Sequence, residues 1–371
     1  MAAQEEDRAV ADGLRNAAVN DELGYPIVVG SGLAPAIATF VRGRGPRAVV
    51  LCDRTPAVTA FARAIAARLR PRPRILRFEL GERRKRLSTL EEVLQALHAA
   101  GTDRETLVLG AGGGVASDLF GFAAATYARG LRYAHVATTL TAMVDAAIGG
   151  KTGVDLEAGK NLAGAYNDPL AVFCDVDTLD TLPFSFLREG LAEVIKAAIV
   201  AGDPLFEGLE ELSPHRFSHW PWAALADAAI AVKTRIVATD PRENGMRELL
   251  NLGHTFAHGI ERGSDFRVTH GAAVALGLRA AGLLALRTGR FSQREHLRVL
   301  TLLTLLGMPL RTGVPAGRIL AAMRGDKKRR NGRLRFVLPR AIGDVEYGVE
   351  CDERDVRAVV ERLSSMPSAV T

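Results

Sequence analysis

Five polar residues, Arg247, Asn251, His254, His258 and Glu261, recur at spacings of 4, 3, 4 and 3 in RELLNLGHTFAHGIE (247–261). That spacing predicts one face of a helix, with Leu249, Leu250, Leu252, Phe256 and Ile260 on the others. A solvated face is normally rich in Lys and Glu. This one carries Asn and two His, which suits a buried polar cleft. Two His four residues apart can hold one metal ion, although HTFAH lacks the Glu of HExxH. Glu193 and Lys196 share a face of GLAEVIKAAI (190–199), and His270 opens HGAAVALG. Two His and one carboxylate leave open positions on zinc, as a catalytic site requires. Spacing alone does not choose which His ligates. Either His taken singly reads as a core histidine, whereas the constellation reads as a metal site.

A second set of residues suits an anionic ligand. GAGGGVASD (110–118) follows a strand and precedes a helix, where backbone amides can approach a phosphate at a helix N-terminus. The spacing is not GxGxxG, so by itself the turn reads as a tight structural one. Asp53, at the end of an earlier strand, suits either a ribose hydroxyl or a helix cap. The stretch HVATTLTAMVDAAIGGKTGVDLEAGKNLAGA (135–165) sets Asp145, Lys151, Asp155, Lys160 and Asn161 among small residues that permit close backbone approach. Only seven of the 48 basic residues are lysine: Lys85, Lys151, Lys160, Lys196, Lys233, Lys327 and Lys328. In so arginine-rich a chain, they mark places where a compact ammonium is wanted rather than a planar guanidinium.

The elements that must carry these residues follow an α/β order. Residues 25–32, 48–52, 74–79 and 106–110 read as strands, and 56–70 and 88–100 as helices. Ser88 with Glu91 three residues on has the capping-box pattern. After about residue 184, Ala- and Leu-rich segments of helical period dominate: 186–201, 222–239, 247–262, 271–288 and 293–306. LRFVLP (334–339) adds a short β-like piece. The expected fold is therefore α/β: a Rossmann-like parallel-sheet domain over 1–184, then a mainly α-helical metal- and substrate-binding domain over 185–371. Residues 1–20 read as a loose extension or short helix.

Composition is that of a globular chain of 371 residues, 48% hydrophobic and 24% charged. No apolar run reaches the length of a membrane span; Arg279 breaks the run 271–286. The polar, acidic N-terminus lacks the pattern of a signal peptide. Three well-separated cysteines, Cys52, Cys174 and Cys351, make no CxxC pair and fit a cytoplasmic setting. The net charge of +6 suits anionic substrates. The basic run RGDKKRRNGRLR (324–335) could suggest nucleic acid, but no aromatics interleave with it, so it reads as an exposed loop with a few substrate contacts.

With these motifs in view, the chain resembles the 3-dehydroquinate synthase family of sugar-phosphate cyclases over about residues 25–350. The resemblance rests on GER..K (81–85), GGGVASD (112–118), YARG (127–130), TTL..MVDAAIGGKTGVD...GKN (138–161), LAEVIK (191–196), LLNLGHTFAHGIE (249–261), HG (270–271) and DKK...G.LRFVLP (326–339). It implies zinc, or cobalt, bound by Glu193, His254 and His270, with His258 facing substrate. It implies NAD+ held by Asp53, Glu82, Lys85, Gly113, Gly114, Val115, Asp118, Thr138, Thr139, Lys151, Lys160 and Thr181. Asp145, Lys151, Lys160, Asn161, Lys196, Lys233, Arg247, Asn251, His258 and Lys327 or Lys328 would line a phosphorylated sugar acid. Arg129 would reach a neighbouring subunit's site, implying a homodimer.

The implied chemistry is a sequence on 3-deoxy-D-arabino-heptulosonate 7-phosphate: transient alcohol oxidation, phosphate elimination, return of the hydride, ring opening and internal aldol closure. That would place the enzyme in the shikimate pathway to aromatic amino acids. SDLFG (117–121), ATT (137–139) and HGAAV (270–274) depart from the family's usual GDLAG, PTT and HGEAV. They keep aminodehydroquinate synthase or a sedoheptulose 7-phosphate cyclase as the alternative. Arg247 and the DKK segment favour a carboxylated substrate. A metal-dependent alcohol dehydrogenase, which shares the two-domain plan, is the next reading, and it would release NADH.

Overall fold

The computed structural model describes residues 17–45, 47–213, 217–324, 329–330 and 333–364. The chain divides into two compact units: Met1–Leu187 with Pro221–Thr234, and Arg188–Trp220 with Arg235–Thr371.

The first unit is built on a seven-stranded sheet. Its strands are β1 (Ala18–Asn20), β2 (Ile27–Gly30), β3 (Ala48–Asp53), β4 (Arg74–Phe78), β5 (Leu107–Gly112), β6 (Tyr133–Ala137) and β9 (Val172–Asp175). They lie in the order β1-β2-β9-β6-β5-β3-β4, all parallel except the β1–β2 pair. The helices are α1 (Ala34–Arg42), α2 (Pro56–Ala67), α3 (Leu87–Ala99) and α4 (Gly114–Thr126). Alternate residues of β3 point to opposite faces. Val50 and Cys52 join Ile37, Val41, Ala62 and Ile65 of α1 and α2; Val49 and Leu51 join Leu90, Val93, Leu97, Leu119 and Phe120 of α3 and α4. Burial on both faces explains why these strands read as continuous apolar runs.

Three features of this unit differ from the sequence reading. Residues 18–20 are a strand rather than part of a loose extension, because they pair antiparallel with β2. The capping box is not formed. The helix starts at Leu87 with Arg86 as N-cap and no side-chain cap bond, since the backbone there is tied to a strand: the Asp155 amide donates to Lys85 O at 2.8 Å. The small-residue stretch contains an antiparallel hairpin of β7 (Lys151–Leu156) and β8 (Gly159–Tyr166). Its Gly, Ala and Lys content hides the alternation that marks most strands.

The second unit is helical. It holds α5 (Phe184–Ala201) from Arg188 on, α6 (Leu205–Glu210), the last turn of α7 (Trp222–Thr239), α8 (His254–Gly263), α9 (His270–Arg287), α10 (Gln293–Leu305), α11 (Ala316–Arg324) and α12 (Glu353–Ser364). A three-stranded sheet of β10 (Arg329–Arg330), β11 (Arg333–Ala341) and β12 (Asp344–Glu350) completes it. Helix α9 is buried nearly all round, from Gly271 to Ala285. It is the central element of the unit, as its apolar sequence requires. No helix among the described residues is long and apolar enough to cross a membrane.

Here too the structure departs from expectation. Residues 247–262 do not form one helix. Met246–Asn251 is a 3-10 turn, and Gly253, with φ of 78°, separates it from α8. A Cβ at Gly253 would stand 2.8 Å from Gly277 C and Leu278 N, so α8 starts as close to α9 as two backbones allow. The sequence boundary at 184/185 also assigned Pro221–Thr234 to the second domain, whereas this segment packs with the first unit. Thr234 Oγ1 there accepts from Asn20 Nδ2 at 3.1 Å and donates to Glu22 Oε2 at 3.0 Å.

Candidate metal and nucleotide sites

The second unit brings Glu193, His254 and His270 together, with one ligand atom from each lying within 4.8 Å of the others. Glu193 is on α5, and the two histidines are the first residues of α8 and α9. Glu193 Oε1 faces His270 Nε2 at 3.2 Å and His254 Nε2 at 3.7 Å, while Oε2 takes the ammonium of Lys196. His254 Nδ1 donates to Leu252 O at 3.2 Å, which fixes the tautomer and leaves the Nε2 lone pair toward Glu193. His270 Nδ1 lies 3.3 Å from Glu261 Oε1. This is the carboxylate–histidine arrangement that orients metal ligands and raises their basicity. Glu261 stood on the polar stripe in the sequence but had no assigned role there.

The start of α9 is set by Glu189, one turn before Glu193. Its carboxylate accepts from the Gly271 amide at 2.5 Å and from the Thr269 hydroxyl. Gly271 permits this, since a Cβ there would meet Glu189 O at 2.5 Å. Nothing in the sequence singles out Glu189, because its partner lies 82 residues away.

The electrostatics suit a cation. Burial disfavours charge on Glu193, but Lys196 and the His270 hydrogen bond outweigh it and hold the carboxyl well below its usual range. Burial, then the Lys196 charge, push His254 well below the ordinary histidine value, which favours the neutral imidazole. Burial also opposes charge on His270, yet the hydrogen bonds to Glu193 and Glu261 raise it to about 10. The donor set of one carboxylate and two imidazoles, with open positions remaining, fits zinc or cobalt.

Of the remaining stripe residues, Arg247 and Asn251 lie in the turn before α8, and His258 lies on α8 itself. Arg247 is buried, its Nη1 donating to Pro241 O at 2.6 Å and its amide to Asp240 Oδ2 at 3.1 Å. Asn251 Nδ2 donates to Glu243 Oε1 at 2.6 Å. His258 is half-buried, its ring 5.6 Å from that of His254, and it is not one of the three clustered ligands.

In the first unit, the order of the sheet reverses at β3 and β5: β4 follows on one side, β6 and β9 on the other. Ligands of open α/β sheets bind beyond the carboxyl ends of strands at such a point. Asp53 ends β3, and Gly112, Gly113 and Gly114 join β5 to α4. Gly112 has φ of +155°, and a Cβ there would lie 2.5 Å from that of Ala116. Val115 lies in the first turn of α4. Asp53 Oδ1 accepts from the Thr55 amide at 2.8 Å, so one oxygen serves as a local cap.

A cavity of about 370 Å³ in this unit is lined by Gly32, Phe61, Thr138, Asp175, Thr178 and Thr181 among others. Thr138 Oγ1 is buried there without a hydrogen-bond partner. Thr139 Oγ1 accepts from the Ala142 amide at 3.3 Å. A hydroxyl awaiting a partner, exposed small side chains and a glycine turn fit a nucleotide.

Several charged residues assigned from the sequence are brought together in the same unit. Lys85, only 5% exposed, pairs with Asp118 and donates to Asn161 Oδ1 at 2.5 Å. Asn161 has φ of 53°, and its amide donates to Asp155 Oδ1 at 2.8 Å. Lys160 pairs with Glu82 at 2.5 Å. Burial disfavours the Lys85 ammonium, but Asp118 overrides this and raises it above the ordinary lysine value. Lys233 donates to the Asp145 carboxylate and, at 2.7 Å, to Asp145 O. Lys151 is exposed at the start of β7, and Arg129 is exposed with φ of 66°. Lys327 and Lys328 lie outside the described residues.

Comparison with known proteins places these features in context. A family model described as the 3-dehydroquinate synthase N-terminal domain matches residues 75–189, and one for its C-terminal domain matches 190–329. A 3-dehydroquinate synthase of Mycobacterium leprae is 41% identical over 321 residues, covering 85% of this chain and 88% of the relative. Among solved structures, ValA, a 2-epi-5-epi-valiolone synthase of Streptomyces hygroscopicus with NAD+ and Zn2+ bound, is 29% identical with a TM-score of 0.84. That match covers 92% of this chain and 96% of the other. A 2-deoxy-scyllo-inosose synthase complexed with carbaglucose-6-phosphate, NAD+ and Co2+ shares the fold, with a TM-score of 0.81 at 24% identity, covering 91% and 96% of the two chains.

Proposed function

The chain belongs to the 3-dehydroquinate synthase family, and we propose that it converts 3-deoxy-D-arabino-heptulosonate 7-phosphate to 3-dehydroquinate and phosphate, with NAD+ and a divalent metal, zinc or cobalt. The observation that carries this reading is the buried convergence of Glu193, His254 and His270, with Lys196 against the same carboxylate.

When bound, the metal supplies a Lewis acid and NAD+ a reversible hydride acceptor. Glu193, His254 and His270 would hold the metal. Leu252 O and Glu261 keep the two imidazoles in the required orientation. The glycine turn, Asp53, Thr138, Thr139 and Thr181 would hold the nucleotide. The Lys85–Asp118–Asn161 network and the Lys160–Glu82 pair shape the loops around it. Lys151, Lys196, Lys233, Asn251 and His258 would orient an anionic, hydroxyl-rich substrate, with Lys327 or Lys328 adding a cation. Arg247 would read its carboxylate through a bidentate fork. Holding both ends of one molecule favours the intramolecular closure. Arg129, exposed in a left-handed turn, would serve a partner's site in a homodimer. We place the enzyme in the cytoplasm and in the shikimate pathway.

The similarity to a 2-epi-5-epi-valiolone synthase supports a second reading, a cyclase of an uncarboxylated sugar phosphate. One experiment separates them: phosphate release by the loaded enzyme across heptulose and hexose phosphates, with products identified by mass. Phosphate release from the carboxylated heptulosonate without net NADH is expected. Turnover of only uncarboxylated sugars would sink the first reading, and steady NADH accumulation would sink both in favour of a dehydrogenase.

A further inference from the structure

We propose that the second unit carries an additional anion site, centred on Arg279 and His296 and built for an oxyanion of the phosphate or carboxylate type. Arg279 lies on α9, nine residues beyond His270, which is about 14 Å further along the axis and half a turn round. It is 8% exposed, and its Nε and Nη1 are buried with no hydrogen-bond partner. His296, on α10, is 3% exposed, and both its ring nitrogens are likewise buried and unpartnered. The imidazole sits against α9 where Gly282 makes room: a Cβ there would lie 2.7 Å from His296 Nδ1. Phe291 closes one side, its ring centroid 6.3 Å from that of the histidine.

Four unsatisfied buried polar atoms at one place are costly. Each costs folding free energy, more on a charged group, so native structures seldom retain them without a ligand or water. The charge around them indicates which ligand. Burial, then the charges of Arg311 and Arg362, lower Arg279 from its usual value; burial, then Arg279 and Arg362, lower His296. Each of these neighbouring charges is cationic. Asp355, on the neighbouring α12, is engaged by Arg287 at 2.8 Å. A planar guanidinium beside a neutral imidazole N–H matches an oxyanion, which accepts from both. None of these residues belongs to the metal cluster or the nucleotide cavity.

The test uses the enzyme loaded with NAD+ and metal. Crystals soaked in selenate should show an anomalous peak within hydrogen-bond distance of Arg279 and His296. In solution, inorganic phosphate should raise the melting temperature over chloride at equal ionic strength. The part of that response due to this site should need about 10-fold more phosphate, or vanish, in R279Q. If R279Q does not fold, H296Q carries the same comparison. Water alone at the site, a carboxylate of this chain seated on Arg279, or an adventitious ion only, seen in soaked crystals with identical phosphate responses from wild type and variants, would overturn the proposal.

Discussion

The two units handle buried charge in opposite ways. In the first, Lys85 closes on Asp118 and Asn161, and Asn161 on Asp155, so each formal charge has a partner from the same chain. In the second, Glu193 and two imidazoles converge on a common space, with Lys196 against the same carboxylate and Glu261 behind His270. A closed network rigidifies the loop it runs through, while an open set of lone pairs waits for a cation. On the proposed function, the first unit would offer a nucleotide backbone amides and hydroxyls, and the second would offer a metal its ligands.

The strongest test of that contrast is removal of a ligand. His254→Ala should abolish metal binding and cut turnover about 1000-fold or more, since Lewis-acid stabilisation is worth several kcal/mol. Nucleotide affinity should stay near wild type, and elemental analysis with NAD+ titration reads both. Full metal content would break the assignment of His254 as a ligand.

Lys85→Met is the converse. It strands a half-buried Asp118 and should cost about 2–3 kcal/mol of stability. Chemical denaturation should show that loss together with weakened NAD+ binding, while metal stoichiometry is unchanged. A variant as stable as wild type would mean that the network is not closed as described.

Glu261→Gln sharpens the second unit alone. Removing the charge behind His270 should weaken metal affinity about 10–100-fold, measured by competition with a chelating dye. No change would reduce Glu261 to a packing role.

The smallest effect is in pH. His270 is raised to about 10 in the metal-free fold from an ordinary value of 6.5. A raised folded value means that this contribution is fully present below about pH 6.5 and is lost as pH climbs through 10. The melting temperature of chelated protein should fall across that window, whereas the metal-loaded protein should hold. Parallel curves would show that proton and metal do not exchange at this position.

Much of the architecture was legible because it follows from local pattern. The apolar runs of β3 and β5, the helical period of 222–239, and the change of composition near 184 each need only neighbouring residues to be read. The β7–β8 hairpin was not, because its small side chains carry no alternation. The residues 247–262 do not form the single helix their spacing predicts, because the polar spacing continues unbroken across Gly253, whose left-handed turn brings it against the Gly277–Leu278 backbone.

The sequence by itself determined which chemistry was on offer: two histidines and a carboxylate for a metal, glycines after a strand for a phosphate, and seven lysines in an arginine-rich chain. Tertiary structure decided how these groups are used. It set Glu193 Oε1 between the histidines and Oε2 on Lys196, supplied Glu189 and Glu261 as unforeseen supports, and engaged Lys85 and Lys233 with Asp118 and Asp145. It also left Arg279, which in the sequence only interrupts an apolar run, buried with unsatisfied donors. The physical reason is that residue type fixes what an atom can donate or accept, whereas its partner, 88 residues away for Lys233 and 214 for Thr234, is fixed only by packing.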